Sequence, residues 1–480
     1  MTAPDALWTS TEADQATGGK STRAWAAHGV AIDSRALKPG DLFVAIKGPN
    51  FDGHAFVADA LSKGAAAAVV SQRPAGLASD APLLMVADVF AALQDLARAA
   101  RARATARIVA VTGSVGKTGT KEALRFVLSA QGLTSASEGS LNNHWGVPLS
   151  LARLPRAARF GIFELGMNHA GEISPLTKMV RPHVAIITTI EAVHLEFFDS
   201  IEGIAAAKAE IFDGLSQDGV AVLNQDNGQF DFLKRQAQAR GIGRVVGFGV
   251  SPGAWARMVS YRPADGGGLI SAEIDGRPLT YRLGLPGRHL ALNSLAVLAA
   301  VTLLGGDLTA AAALLQDLAP PKGRGSRHHL ALPGYGRDGR YTLIDESYNA
   351  SPPAMRAAFA VLAGIEPGPG GRRIAVLGDM LELGPESGVI HAQLTQDIVA
   401  AGIDLVCTAG AHMAHLNAAL PSAMRGGHMA RAEDLLPLVR DLIRPGDVVV
   451  VKGSHGSRMG MIVEALLAGA SEPRAVANGS

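Results

Sequence analysis

The sequence is short of several things, and each shortage closes off a class of protein. It has one cysteine, Cys407, so no internal disulfide staples it. That fits a reducing compartment, and the plain reading of Cys407 is a buried small hydrophobe. Charge of one sign is missing: 44 Lys and Arg face 43 Asp and Glu, and a net charge of +1 gives no global field for gripping a nucleic-acid backbone. Any anionic ligand must be held locally, and no nucleic-acid partner is expected. Long apolar runs are missing too: stretches such as 64–70 and 448–451 are far shorter than the roughly 20 residues of a membrane span. Residues 1–19 are polar and carry neither the basic nor the apolar region of a secretory signal. A cytoplasmic protein without membrane insertion is therefore expected. Aromatics are 5% of the chain against 56 glycines and 48% hydrophobic residues, the balance of an Ala- and Gly-rich α/β enzyme.

At 480 residues the chain exceeds one ordinary core and predicts about three blocks. The first, residues 24–87, holds a short strand at 41–46, a helix at 56–63 and a strand at 67–70, and an Arg- and Ala-rich helix at 89–103 leads away from it. The second opens on the β-branched run 107–112, passes a Gly-rich turn and enters a helix at 117–130. Strands at 161–165, 184–189 and 220–224 alternate with helices, which predicts a largely parallel sheet. A helix at 308–318 runs into Pro320-Pro321-Lys322-Gly323, a linker to the third block. There, strands at 341–344, 374–377, 404–407 and 448–451 alternate with helices, predicting a second doubly wound unit.

The sharpest motif is Thr112-Gly113-Ser114-Val115-Gly116-Lys117-Thr118, set between an apolar strand and a helix. Glycines let backbone N–H groups turn onto phosphate oxygens, and the helix N-terminus favours negative charge. Lys117 reaches terminal phosphates, and the Thr118 hydroxyl suits Mg²⁺. The loop is a variant, since Val111 stands where the consensus has its first glycine. Glu164 ends a predicted strand, so its carboxylate emerges at the sheet's C-terminal edge as a candidate Mg²⁺ ligand. His194 would reach the same edge, although a lone histidine is more often structural. Lys208, in an Ala-rich helical stretch, reads on physics alone as a solvated surface lysine. In the first block, Ser34, Arg35, Lys47 and His54 cluster around a hydrophobic strand and suit a diphosphate and a uracil-like base, or simply a turn-rich surface. Asn142 and Asn143 either bind a substrate or cap turns.

The Gly-Lys-Thr loop, Glu164-Leu165-Gly166-Met167-Asn168-His169-Ala170-Gly171-Glu172-Ile173, His194 and the Lys208 helix together resemble the Mur ligase family in order and spacing. That family joins an ATP-activated carboxylate to an amine. Asn142-Asn143 with Gly146-Val147-Pro148, the run Asp345-Glu346-Ser347-Tyr348-Asn349-Ala350-Ser351-Pro352, and Leu377-Gly378-Asp379-Met380-Leu381-Glu382-Leu383-Gly384 look like the branch whose substrates are UDP-N-acetylmuramoyl-tripeptide and D-alanyl-D-alanine. No Asp-Asn-Pro-Arg motif, usual in the diaminopimelate-adding branch, is present.

The resemblance implies a three-domain α/β protein: a small N-terminal α/β domain (1–105) for the UDP-sugar peptide, a central P-loop parallel-sheet ATPase domain (106–319), and a C-terminal Rossmann-like α/β domain (320–480). It implies ATP and Mg²⁺, two ions, as cofactors. Gly113, Ser114, Val115, Gly116, Lys117 and Thr118 would hold the phosphates. Thr118 and Glu164 would hold one metal ion and His194 would help to place a second. Lys208 would be the carbamylated lysine of the family, a metal-binding group that overturns its bland reading. Lys117, Lys208 and His194 would be the catalytic set. Asn293 would approach the adenine, and Arg324, Asp345 and Glu346 would reach the nucleotide from the third domain. Asn142 and Asn143 with Ser34, Arg35, Lys47 and His54 would contact the UDP-sugar peptide. His455 stands where arginine is common, which makes Arg458 the candidate replacement. A monomer is expected. The competing readings are a sibling ligase, including a folate polyglutamate ligase, and a noncatalytic P-loop switch, which would not need Glu164, His194 and Lys208 together.

Overall fold

The run Arg107–Thr112 has no polar alternation, and all but its first residue are buried, as a strand covered by helices on both faces requires. In the computed structural model, which describes residues 6–192, 196–264, 266–335 and 339–471, it lies inside a nine-stranded sheet. It pairs in parallel with Phe160–Glu164 on one side and Val184–Ile187 on the other, so the winding reverses at this strand. Such a reversal opens a crevice at the carboxyl ends of the strands, the usual ligand position in α/β sheets. Thr134–Ala136 extends one wing, and Val220–Asn224 and Arg244–Gly249 extend the other, all in parallel. The parallel expectation fails at the far edge. There Ala256–Ala264, Gly267–Ile274 and Arg277–Leu283 form an antiparallel meander. The alternating burial of Gly267–Ile274 is the period-two pattern of a strand with one face on the core, a signal the sequence reading passed over.

A smaller five-stranded sheet precedes it, in the order Lys20–Ser21, Leu83–Met85, Ala67–Val70, Asp41–Val44, Gly29–Ala31. Its inner pairs are parallel and its first strand antiparallel. Helix Val89–Arg103, capped by Asp88 accepting from Ala91 N at 2.8 Å, carries the chain to the central sheet. The two sheets share a core: Leu149 and Ala152 of helix Gly146–Ala152 pack with Val30, Leu42 and Leu93. Polar ties reinforce that seam, with Trp8 Nε1 donating to Ala152 O at 2.9 Å and Arg153 Nε to Val30 O at 2.7 Å.

The third sheet runs Ser326–Ala331, Arg340–Glu346, Val448–Lys452, Arg373–Gly378, Leu405–Ala409, Arg425–Met429, parallel except for the first strand. Every predicted strand of this block is present, one at each edge being additional. Cys407 is buried among apolar neighbours, which pushes its thiol up to about 12, so its plain reading stands. Among the described residues no helix is long and apolar enough to cross a membrane.

Because Leu149 is 2% exposed at the seam between the first two sheets, Leu149→Ala should lower unfolding free energy by about 2–5 kcal/mol, read from denaturant unfolding.

Candidate active site

The loop after Arg107–Thr112 takes its shape from two glycines in the left-handed half of backbone space, Gly113 at φ 145° and Gly116 at φ 89°. A Cβ at Gly113 would lie 2.0 Å from Thr188 Oγ1, so no larger residue fits. The neighbouring strand pins the loop: Ser114 N donates to Thr189 O at 2.9 Å, Ser114 Oγ to Glu191 O at 3.1 Å, and Thr188 Oγ1 to Val115 O at 2.6 Å. Gly116 caps helix Lys117–Ser129, whose free N–H groups point into the crevice. Lys117 folds over the loop, its ammonium 2.5 Å from Gly113 O and 3.2 Å from Ser114 O. Burial lowers its pKa, Arg324 adds to that, and Glu164 opposes it.

Glu164 closes strand Phe160–Glu164 and is 1% exposed. Its Oε1 accepts from Asn142 Nδ2 at 2.8 Å, whereas its buried Oε2 has no hydrogen-bond partner among the described residues. A buried carboxylate oxygen without a donor is costly and calls for a cation. Lys208 ends helix Ile201–Ala209 and is also 1% exposed, against the surface reading of its Ala-rich sequence. The Lys208 ammonium has no hydrogen bond or ion pair to another described residue. Burial, and then the charge of Lys117, push its pKa well below the ordinary 10.5. His194 lies outside the described residues.

The phosphate loop and Glu164 open onto a cleft of about 720 Å³ between the central and third sheets, and Lys208 is not among the residues that line it. Ser114, Val115, Gly116, Lys117, Thr118, Asn142, Glu164, Asn293, Arg324 and Glu346 all line it. The Arg324 guanidinium stacks over the Tyr348 ring at 4.1 Å, and Tyr348 Oη hydrogen-bonds Ser140 Oγ across the cleft. Glu346 accepts from buried Lys452 Nζ at 3.2 Å. Asn293 sits against the phosphate loop, its amide 2.7 Å from where a Cβ of Gly116 would be.

Other expected residues are placed differently. Asp345 is buried and turns both oxygens on protein donors, Gly323 N at 3.1 Å and Ser347 N at 3.1 Å, so it ties the linker to the strand. Asn143 Oδ1 accepts from Gly146 N at 2.9 Å and serves the helix start. Ser34, Arg35, Lys47 and His54 do not line the cleft. Arg35 grips Asp33 at 2.6 Å with its side chain 87% exposed. His54 Nε2 accepts from Ser71 N at 3.0 Å, so Nδ1 carries the proton that Asp52 accepts at 2.7 Å, and the ring braces its loop. Exposed Lys47 pairs with Asp52 through a backbone bridge, and neighbouring Gly48 abuts the Trp145 ring. Arg458 pairs with Glu433 at 2.6 Å, and it is His455 that faces the cleft.

The sequence reading missed three contributors. Lys121, fully buried, donates to Ser137 O at 2.8 Å and Gly139 O at 2.9 Å, anchoring the loop that bears Ser140 and Asn142. Its place one helical turn after Lys117 was the available signal. Tyr348 and Ser140 are 208 residues apart, and no local pattern announces their contact.

Comparison with known proteins matches three family descriptions in order: "Mur ligase family, catalytic domain" over residues 26–101, "Mur ligase middle domain" over 111–301, and "Mur ligase, glutamate ligase domain" over 335–455. The UDP-N-acetylmuramoyl-tripeptide–D-alanyl-D-alanine ligase of Rickettsia prowazekii is 34% identical over 95% of this chain and 99% of its own length. A crystal structure of MurF from Acinetobacter baumannii superposes with a TM-score of 0.82 at 28% identity, covering 96% of this chain and 99% of that one. MurF ligase from Thermotoga maritima in complex with ADP gives 0.75 at 26% identity, covering 92% and 97%.

The buried lysine makes a pH-dependent prediction. Unfolded, Lys208 binds a proton up to its ordinary 10.5, and folded it releases that proton at lower pH, so its burial penalty shrinks as pH rises towards 10.5. In CO₂-free buffer Lys208→Met should therefore be more stable than the wild type at pH 7, with the gap in thermal midpoint narrowing as the pH is raised.

Proposed function

The chain belongs to the Mur ligase family, and from that premise we infer that it is the ATP-dependent ligase that adds D-alanyl-D-alanine to UDP-N-acetylmuramoyl-tripeptide in peptidoglycan precursor synthesis. The observation that carries the chemistry is one cleft combining a phosphate loop, a buried Glu164 oxygen with no donor among the described residues, and an arginine from another unit.

The terminal carboxylate of the tripeptide attacks the γ-phosphate of ATP, two anions that repel each other. Lys117 and the N–H groups of the loop offset that repulsion and follow the charge as it moves to the leaving ADP. The product is an acyl phosphate. The neutral amine of D-alanyl-D-alanine then attacks its carbonyl carbon, and collapse of the tetrahedral intermediate expels phosphate, leaving the UDP-N-acetylmuramoyl-pentapeptide. Arg324, held flat by Tyr348, supplies charge to the nucleotide from the opposite wall.

The donor set suits Mg²⁺: Thr118 and Glu164 would hold one ion, and His194 and Lys208 a second. When bound, the metal neutralises phosphate charge. Lys208 meets the requirement for carbamylation, because burial favours its neutral amine, the form that adds CO₂ and releases a proton to give an anionic carbamate. Lys117, Lys208 and His194 are the proposed catalytic residues. Ser34, Arg35 and Lys47 are assigned to the UDP end of the substrate with Asn142 nearer the peptide, and His54 and Asn143 shape their loops. Gly113 to Thr118 with Asn293, Arg324 and Glu346 are assigned to ATP, and Asp345 acts there through the linker it fixes. The reading includes domains at 1–105, 106–319 and 320–480, a cytoplasmic location and a monomer.

Phosphate release from ATP and Mg²⁺ with the UDP-tripeptide, measured with and without D-alanyl-D-alanine alongside product mass, tests this directly. Release that depends on the dipeptide, with a pentapeptide mass, is expected, and Lys117→Ala should lower its rate by roughly 10²–10³-fold. Release that needs neither substrate would point to a nucleotide switch, and no turnover with any amino-acid acceptor would sink the assignment.

A further inference from the structure

The run Asp379-Met380-Leu381-Glu382-Leu383-Gly384 is not accounted for by nucleotide or metal binding, yet residues 381–383 line the reaction cleft from the third sheet. The segment follows strand Arg373–Gly378 at its carboxyl end, the ligand-binding edge of that sheet. Its backbone is unusual: Glu382 is one of four non-glycine residues with positive φ among the described residues, at 63°. Such a conformation persists only where its surroundings enforce it, and it is found preferentially at functional sites.

The surroundings do enforce it. Met380 N donates to His391 Nε2 at 3.0 Å, and His391 Nδ1 donates in turn to Ser387 O at 2.6 Å, on a ring that is 0% exposed. One residue on, Leu381 N donates to Ser454 Oγ at 3.0 Å, and Ser454 N to Asp379 O at 3.0 Å. Two buried groups thus clamp consecutive N–H groups, and the chain immediately beyond the clamp projects into the cleft. Leu381 emerges there 41% exposed, an apolar side chain on the cleft wall. Across the cleft, Glu196 N meets Glu382 O at 3.4 Å, beyond the end of strand Val184–Ile187. The arginine and tyrosine of the third unit engage the central one at a different point, Ser140, on the wing of Thr134–Ala136.

We propose that residues 381–383 form a wall of the acceptor subsite, contacting the small apolar side chains of the incoming dipeptide, and that His391 is the positioning residue that holds this wall in place. The inference rests on the ligase reading above. A rigid wall that presents exposed Leu381 beside buried Leu383 suits an acceptor whose side chains are methyl groups, since a flexible loop would have to be ordered each time the dipeptide bound. His391 touches no substrate; it acts through Met380 N.

The test separates acyl transfer from acyl-phosphate formation. With ATP and UDP-tripeptide but no dipeptide, hydroxylamine traps the acyl phosphate as a hydroxamate, and this half-reaction needs no acceptor. Leu381→Ala should raise the KM for D-alanyl-D-alanine roughly tenfold with hydroxamate formation unchanged. His391→Leu, which leaves Met380 N without an acceptor, should raise it by about three- to tenfold, and His391→Gln, which restores an acceptor oxygen, should recover most of the loss. An unaltered dipeptide KM in Leu381→Ala, or hydroxamate formation falling in step with ligation in the His391 variants, would overturn the proposal. The exposed leucine keeps the test valid even if His391→Leu fails to fold. A wild type that makes hydroxamate but no pentapeptide would instead overturn the ligase reading, and this inference with it.

Discussion

The buried carboxylate of Glu164 is the constraint around which the rest of the site is arranged. Taking an ion out of water costs several kcal/mol even after relaxation, and here one oxygen accepts from Asn142 while the other has no donor among the described residues. A fold tolerates such a group when something outside the chain completes it. Its neighbours follow from that demand. Strand Phe160–Glu164 delivers it beside the phosphate loop because the two strands pair in parallel and in register, Glu164 against Val111. Lys117 lies close enough for the charges to influence each other, and Lys208 feels Lys117 in turn. Lys117 and the free N–H groups of the helix that it opens put positive charge beside Glu164, a field that suits a polyphosphate.

The loop that positions Asn142 is therefore as consequential as the phosphate loop. Lys121 holds it from below through Ser137 O and Gly139 O, and its ammonium is shared with Glu122 at 2.8 Å. From the far side Tyr348 reaches Ser140, two residues before Asn142. The buried Glu164 carboxylate and the arginine of the third unit are thus linked through one short loop: Arg324 stacks on Tyr348, Tyr348 bonds Ser140, and Asn142 bonds Glu164.

Much of this was legible in the chain because the informative signals are local. A β-branched run, two glycines and Lys-Thr at a helix start define the phosphate loop within a dozen residues, and Glu164 stands at a strand end that periodicity alone locates. What local patterns could not supply was burial. Lys208 sits among alanines, a composition equally at home on a surface; only the packing of Ile204, Ala205, Ala207 and Ala209 against the central core draws the lysine inside. Local patterns were equally silent on the protein partners that several polar positions have. His54, Asn143 and Asp345 have the right chemistry for ligands, yet each already accepts from a backbone N–H of the protein, that of Ser71, Gly146 and Ser347 respectively, and a polar group so satisfied is less available to a substrate. The antiparallel edge was missed because its strands alternate between loops rich in glycine, where a period-two signal is easily taken for turn.

The division of labour between units follows from the instability of an acyl phosphate in water. A site carried on one rigid sheet would have to be open to admit three substrates and closed to protect the intermediate, which one rigid wall cannot do. Splitting the donors resolves the conflict: the phosphate loop and Glu164 belong to the central sheet, whereas Arg324, Glu346 and residues 381–383 belong to the third chain segment. The full electrostatic complement exists only while the walls face each other, so the state that excludes water is also the state that stabilises transfer. The exposed hydrogen bond between Ser140 and Tyr348 joins the two walls, and a contact of this kind contributes about 1 kcal/mol, too little by itself to lock them together.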